Sequence, residues 1–204
     1  MKLIVVRHGE SKGNTSDLVQ GAESKLSNEG CQQAQRLADK LKDEQIDAAF
    51  VSPLFRAQQT ANIILRHHPG LGIQTVPELR ERDYGIYEGR PASEPQADWR
   101  ASGLPFGEFK PEGGESWYEA GERATSFIRS LIDRYKDSDQ TILVVGHGSI
   151  FTYFLTHMDG KDVCANSKEQ YDYYHPHNTA MSVIEVDATG HYQLTTLNDI
   201  SHLD

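Results

Sequence analysis

The chain has 204 residues, enough for one well-buried domain and short for two. Its hydrophobic content of 37% comes without any apolar run near the roughly 20 residues that cross a bilayer, which excludes a helical membrane protein. The 20 Lys+Arg and 30 Asp+Glu leave a net charge of −10, which argues against nucleic acid and anionic membranes as partners. A small anionic substrate stays compatible, because a few arginines in a concave site focus positive potential locally. Only a four-residue apolar stretch precedes Arg7, too short for a signal-peptide core, so a cytoplasmic protein is expected. The two cysteines, Cys31 and Cys164, are far apart and lack metal-ligand spacing, so no disulfide framework is expected.

Residues 3–6 (Leu-Ile-Val-Val) predict a strand buried on both faces that ends in Arg7-His8-Gly9. Such a strand delivers its next residues to the edge where open α/β sheets hold ligands. Ser27 suits a helix cap, and Cys31, Ala34, Leu37, Ala38 and Leu41 follow at helical spacing. Residues 48–52 predict a second strand, after which Pro53 suits the first turn of a helix with Arg56 near its amino end. Ala57, Thr60, Ala61, Ile64 and Leu65 form that helix's stripe, which His67-His68-Pro69-Gly70 terminates. From about 86 to 115 the sequence is rich in Gly, Pro and lone aromatics with little periodicity, and reads as a cap over a pocket. For Trp99, Phe106 and Phe109 within it, pocket lining and cap packing are equal readings.

Ser116 and Glu119 form a capping box opening the clearest helix, with Trp117, Ala120, Ala124, Phe127, Ile128, Leu131, Ile132 and Tyr135 as its apolar stripe. Residues 141–145 predict a third strand, ending in Gly146-His147-Gly148-Ser149, and 149 to about 157 a short buried helix. The tyrosines at 171, 173 and 174 are expected under the sheet edge or on the pocket rim. His175-Pro176-His177-Asn178 reads as a loop leading into a strand, since a lone H-x-H supplies too few metal ligands. Residues 179–186 and 192–197 predict a closing hairpin. The expected fold class is α/β: a three-layer α/β/α sandwich with a mostly parallel central sheet and a cap insertion, all in one domain over 1–204.

Three strands thus end in a cationic or imidazole side chain, which points to an anion pocket. Neutral imidazole attacks phosphorus, and phosphoryl transfer otherwise needs in-line positioning and charge stabilisation. Arg7, Arg56, His8 and His147 supply both, and Asn14 could donate a further hydrogen bond. A departing alkoxide also needs a proton, for which Glu78, Glu81, Asp83 and Glu88 are all candidates.

The chain resembles the histidine phosphatase superfamily, the phosphoglycerate-mutase-like group. The matching segments are R-H-G-E-S at 7–11 with Asn14, L-S-N-E-G-C-Q-Q-A at 26–34, S-P-L-F-R-A-Q-Q-T-A at 52–61, E-R-D-Y-G at 81–85, G-G-E-S at 113–116, V-V-G-H-G at 144–148 and L-N-D-I-S-H-L at 197–203. The resemblance implies that His8 becomes phosphohistidine, that Arg7, Arg56 and His147 bind the transferring phosphoryl group, and that Glu81 is the proton donor. It places Asn14, Gln20, Gly21, Arg82, Tyr84 and Gly148 at the substrate, and implies no metal and no cofactor. The expected partner is a small phosphorylated metabolite, and a homodimer is left open. Mutases of this group carry a lysine about eleven residues after the glutamate of E-R-x-Y-G, where this chain has Ala92, and an adjacent arginine pair that is missing between Ile86 and Glu115. Those departures favour a phosphatase, although Arg82, Arg90, Arg100 and Lys110 could build a second anionic subsite by another geometry. The alternatives are a phosphoglycerate-type mutase and a non-catalytic domain that binds a phosphorylated metabolite.

Overall fold

The computed structural model describes residues 1–14, 16–163 and 168–204. Four strands run parallel: β1 (Lys2–Arg7), β2 (Ala48–Val51), β3 (Ile73–Thr75) and β4 (Thr141–Gly146). β5 (Met181–Val186) and β6 (Tyr192–Asp199) add the expected hairpin, β5 running antiparallel to β1, and the sheet order is β3-β2-β4-β1-β5-β6. The helices are α1 (Asn28–Leu41), α2 (Phe55–Ile64), α3 (Ser93–Ser102), α4 (Trp117–Tyr135), α5 (Gly148–Met158) and α6 (Lys168–Tyr174).

Strand alternation sorts the apolar residues into two cores, one on each face of the sheet. Leu3, Val5, Phe50, Ile142 and Val144 pack with Ala124 and Ile128 of α4 and with Phe151 and Phe154 of α5. Ile4, Val6, Ala49, Val51, Leu143 and Val145 pack with Leu37 of α1 and with Ala57 and Ala61 of α2. The result is the three-layer α/β/α sandwich. Ser27 caps α1 by accepting from Gly30 N–H, and Ser116 with Glu119 closes the capping box of α4.

Several details depart from the sequence reading. Pro53 lies outside α2, whose N-cap is Leu54. The segment from 86 to 115 contains the helix α3, which was hidden because its residues form no apolar stripe and Pro95 is the only buried one. Pro95 is tolerated there because a helix's first turn leaves its N–H groups unpaired. β3 is a three-residue edge strand, too short to show alternation. Cys31 is a free, exposed thiol; Cys164 lies outside the described residues.

The turn after β1 meets α1 in close backbone contact, beside the bond that Glu10 N–H donates to Gln33 Oε1 (2.9 Å). A methyl on Gly30 would lie 1.9 Å from Glu10 O, and one on Gly9 would lie 2.5 Å from Gly30 O. Gly30→Ala is therefore expected to cost about 1–3 kcal/mol through overpacking. A lowered urea midpoint at unchanged slope reads this out; a wild-type midpoint would show that the contact yields freely.

Candidate active site

The ends of β1, β2 and β4 meet at one point on the carboxyl edge of the sheet. His8 N–H donates to Gly146 O (3.0 Å), and Ser52 N–H donates to Val145 O (3.0 Å). His147 is the N-cap of α5, and the His8 and His147 ring centroids are 5.1 Å apart. Both rings are buried, at 3% and 0% exposure.

Hydrogen bonding fixes the tautomer of His8. His8 Nδ1 lies 2.6 Å from Gly9 O. A carbonyl only accepts, so Nδ1 carries the proton and Nε2 keeps a lone pair. Arg56 Nε–H donates to that lone pair at 3.2 Å. The Ser52 hydroxyl accepts from Leu54 N–H (3.2 Å) and shares a hydrogen bond of 2.7 Å with His147 Nε2. His147 Nδ1 is buried and has no hydrogen-bond partner among the described residues. Arg7 Nε is a buried donor in the same position. Orphaned polar groups of this kind are costly unless a ligand satisfies them.

The electrostatics keep both imidazoles neutral. Burial, then Arg56, pushes the pKa of His8 well below the ordinary 6.5, with Arg7 adding to it. His147 is pushed the same way, by burial first and then Arg56. Arg7 is held from outside the motif that announced it. Its Nη1 donates to Pro176 O (2.6 Å) and contacts His175 Nε2 (3.3 Å). His175 Nδ1 in turn bonds Thr152 Oγ1 (2.9 Å), whose own proton goes to Gly148 O (2.8 Å). His175 is thus protonated on Nδ1 and offers Nε2 to Arg7; burial, then Arg7, lowers its pKa to about 4. The sequence reading assigned His175 only to a loop, and an H-x-H spacing carries no signal for this contact.

Of the four candidate acids, Glu81 alone lines the cavity. Its Oε1 accepts from Arg82 N–H (2.9 Å) and its Oε2 from Ser149 N–H (3.1 Å), in the first turn of α5 where the helix dipole favours negative charge. Glu78 and Glu88 are exposed, and Asp83 Oδ1 accepts from Gly85 N–H (2.8 Å). The loop carrying Glu81 is clamped by Arg123 of α4, which forms two bonds to Glu115 (2.9 and 2.8 Å) and also donates to Arg80 O (3.1 Å). Neither Arg123 nor Glu115 was singled out as a site residue in the sequence.

A cavity of about 780 Å³ takes in Arg7, His8, Arg56 and Glu81 together with aromatic side chains of the 86–115 segment and α6. Asn14, Gln20, Arg82, Tyr84 and Gly148 line it as well. Asn14 Oδ1 accepts from Ser11 N–H (2.9 Å), leaving its amide NH₂ as the group it can offer. Gly21 acts on Arg56: its carbonyl accepts from Arg56 Nη1 at 3.1 Å. A side chain at Gly148 would meet His175 Cε1 at 2.6 Å. Trp117 is buried and donates to Ser149 O (3.1 Å).

The chain matches the histidine phosphatase superfamily (branch 1) over residues 3–200 and belongs to that family. It is 39% identical to fructose-2,6-bisphosphatase TIGAR B of Danio rerio over 65% of this chain and 53% of that protein, so it spans about half the length of that relative. It is 30% identical to a 2,3-bisphosphoglycerate-dependent phosphoglycerate mutase of Brucella ovis, over 78% of this chain and 81% of that one. The solved structure of Bacillus stearothermophilus YhfR superposes with a TM-score of 0.86 at 28% identity, covering 100% of this chain and 99% of that chain. Among the described residues, no helix is long and apolar enough to cross a membrane.

The buried histidines make stability depend on pH. In the unfolded chain their pKa values return to about 6.5, above the folded values, so unfolding takes up protons below that pH. Stability is therefore full above about pH 6.5 and falls on acidification; for His175 the loss is complete near pH 4, where the folded ring also protonates. Urea midpoints measured from pH 7 to pH 4 should decline, and His175→Gln should show a shallower decline. Parallel curves for the two proteins would contradict the burial of a neutral His175.

Proposed function

We propose that this chain is a metal-independent phosphomonoesterase acting on small phosphorylated metabolites through a phosphohistidine at His8. The observation that carries this reading is the His8 tautomer. Nδ1–H is tied to Gly9 O, and Nε2 presents its lone pair beside the guanidinium groups of buried Arg56 and half-buried Arg7. The hydrogen bonds of Arg7 and Arg56 go to carbonyl oxygens and imidazole nitrogens rather than to carboxylates, so their charge remains available to an oxyanion.

In the proposed first step the phosphoryl group of the ester lies among Arg7, Arg56 and His147. Arg56 Nε–H turns from His8 onto a phosphoryl oxygen as Nε2 attacks. The N–P bond forms, the P–O(ester) bond breaks, and Glu81 gives its proton to the departing oxygen. This step uses the protonated form of the Glu81 carboxyl. The Gly9 carbonyl stays bonded to Nδ1–H and offsets the positive charge that develops on the ring. In the second step Glu81, now a carboxylate, takes a proton from water, the water oxygen bonds to phosphorus, and the N–P bond breaks to release phosphate and neutral His8.

Ala92 supports hydrolysis over transfer between two positions of one substrate. It lines the cavity, at the place where mutases of this family carry a lysine, so the cavity lacks that cation. The names of the relatives, a fructose-2,6-bisphosphatase and a phosphoglycerate mutase, support phosphorylated metabolites as the substrate class.

His8→Ala should abolish phosphoenzyme formation, read by rapid quench with a ³²P-labelled ester and peptide mapping; retained turnover would refute its role as nucleophile. Glu81→Gln should slow alkyl esters by about 10²–10⁴-fold and p-nitrophenyl phosphate much less, since p-nitrophenolate departs without a proton. An equal loss on both would remove Glu81 as the acid. Arg56→Ala should lower kcat by roughly 10²–10³-fold, like removal of one preorganised donor, and EDTA should change nothing. Inorganic phosphate is the product to measure; an isomerised ester in its place would favour the mutase.

A further inference from the structure

The cavity is far larger than a phosphoryl group, and its remaining wall is aromatic. At about 780 Å³ it falls in the range, roughly 300–1,000 Å³, of pockets that enclose drug-sized ligands. Phe106 packs edge-to-face on Trp99 (centroids 5.4 Å) and on Tyr171 (6.3 Å). Tyr171 stacks on His175 (5.0 Å, 19°), the residue that touches Arg7. An unbroken series of rings therefore runs from the phosphoryl-binding arginine to Trp99 on α3. Trp99 spends its indole N–H on Leu104 O (2.9 Å), so what it can offer a ligand is apolar. Val19, Pro95 and Phe109 add further apolar lining.

Of the cations that could have bound a second anion, Arg82 is packed against the rings, Arg90 and Lys110 lie outside the cavity lining, Lys168 is paired, and Arg100 stands in solvent. Arg82, only 4% exposed, donates from Nε to Glu115 O (2.9 Å) and from Nη2 to Phe109 O (2.7 Å). Its guanidinium also stands over the Tyr84 and Phe106 rings (4.8 and 5.5 Å). Arg90 pairs with Glu94 (3.6 Å) and Lys110 with Glu119 (2.7 Å), and neither belongs to the cavity lining. Lys168 does line it but pairs with Asp172, a carboxylate that lines it too. Arg100 lines the cavity as an exposed, solvated side chain, where a charge contributes little.

From this wall, and resting on the phosphomonoesterase reading above, we infer that the preferred substrate is a phosphomonoester whose other half is a planar, uncharged aromatic or heteroaromatic group. Bisphosphates and phosphoglycerates, which bring a second anion rather than a ring against this wall, gain less from it. The aromatic half slides along Phe106 and Trp99 while the phosphate reaches Arg7 and Arg56.

Two alkyl esters with alike leaving groups isolate the effect: 2-(1-naphthyl)ethyl phosphate and ethyl phosphate. The first should be favoured in kcat/KM by about 10²-fold, the scale of burying one fused ring system. Fructose 2,6-bisphosphate and 3-phosphoglycerate should do no better than ethyl phosphate. Trp99→Ala should shrink the naphthyl preference about tenfold, and Phe106→Leu, which keeps apolar volume, should shrink it less. The corresponding phosphonates, measured by calorimetry, should show the same ordering in affinity without any turnover. A naphthyl-to-ethyl ratio near one, or a preference for the bisphosphate, overturns the inference. Absence of phosphate release and of a His8 adduct would instead remove the phosphatase reading, and the phosphonate ratio would still decide whether the wall recognises aromatic ligands.

Discussion

The bond from His8 Nδ1 to Gly9 O decides which nitrogen of the ring is available, and the residues around it keep that nitrogen neutral and in place. The carbonyl belongs to the next residue in the chain, so the orientation of the ring is a local property of the turn after β1. That turn is held by Gly9 N–H donating to Thr60 Oγ1 (3.0 Å) and by the backbone contact with Gly30. Burial and two nearby guanidinium groups then make protonation of the ring costly. A protonated His8 could not attack phosphorus, so the same features that stabilise the turn serve the proposed chemistry.

The arginines divide into two groups according to what they bond. Arg123 gives Nε and Nη2 to the carboxylate of Glu115 and Nη1 to the Arg80 carbonyl; its work is to hold the loop of Glu81. Arg7 and Arg56 are held instead by carbonyl oxygens and imidazoles, neutral acceptors that fix a guanidinium without neutralising it. His175 suits this purpose because burial keeps it uncharged near neutral pH. A chain with a net charge of −10 can in this way hold an anion in a pocket of local positive potential.

The sequence made the sheet and the polar floor of the site readable, because both depend on short-range patterns. Apolar runs of four or five residues marked β1, β2 and β4, and each ended in a residue of the floor: Arg7 and His8, Ser52 ahead of Arg56, and His147. What stayed hidden depends on contacts between residues distant in the chain. His175 reaches Arg7 across 168 positions, and no spacing rule encodes that pairing. Helix α3 has no apolar stripe, because its inner surface meets a cavity rather than a core. Arg82 looked like a free cation beside Glu81, and only the fold reveals the carbonyls of Glu115 and Phe109 that engage it.

The division between a polar floor and an aromatic wall also bears on how such a site separates chemistry from selectivity. The floor rests on strand ends and helix starts, where backbone hydrogen bonds define positions closely. The wall comes from the 86–115 segment and α6, joined to the floor through Tyr171 on His175 and through Arg82 on Phe106. Rings recognise area and planarity with little demand on atomic position. Side chains on the wall can therefore change without displacing His8, Arg56 or Glu81. Arg82 couples the two parts through one residue: its backbone N–H holds Glu81 while its side chain organises the wall. A change at Arg82 would be felt in both binding and chemistry, whereas a change at Trp99, whose indole N–H bonds only within its own segment, would be felt mainly in binding.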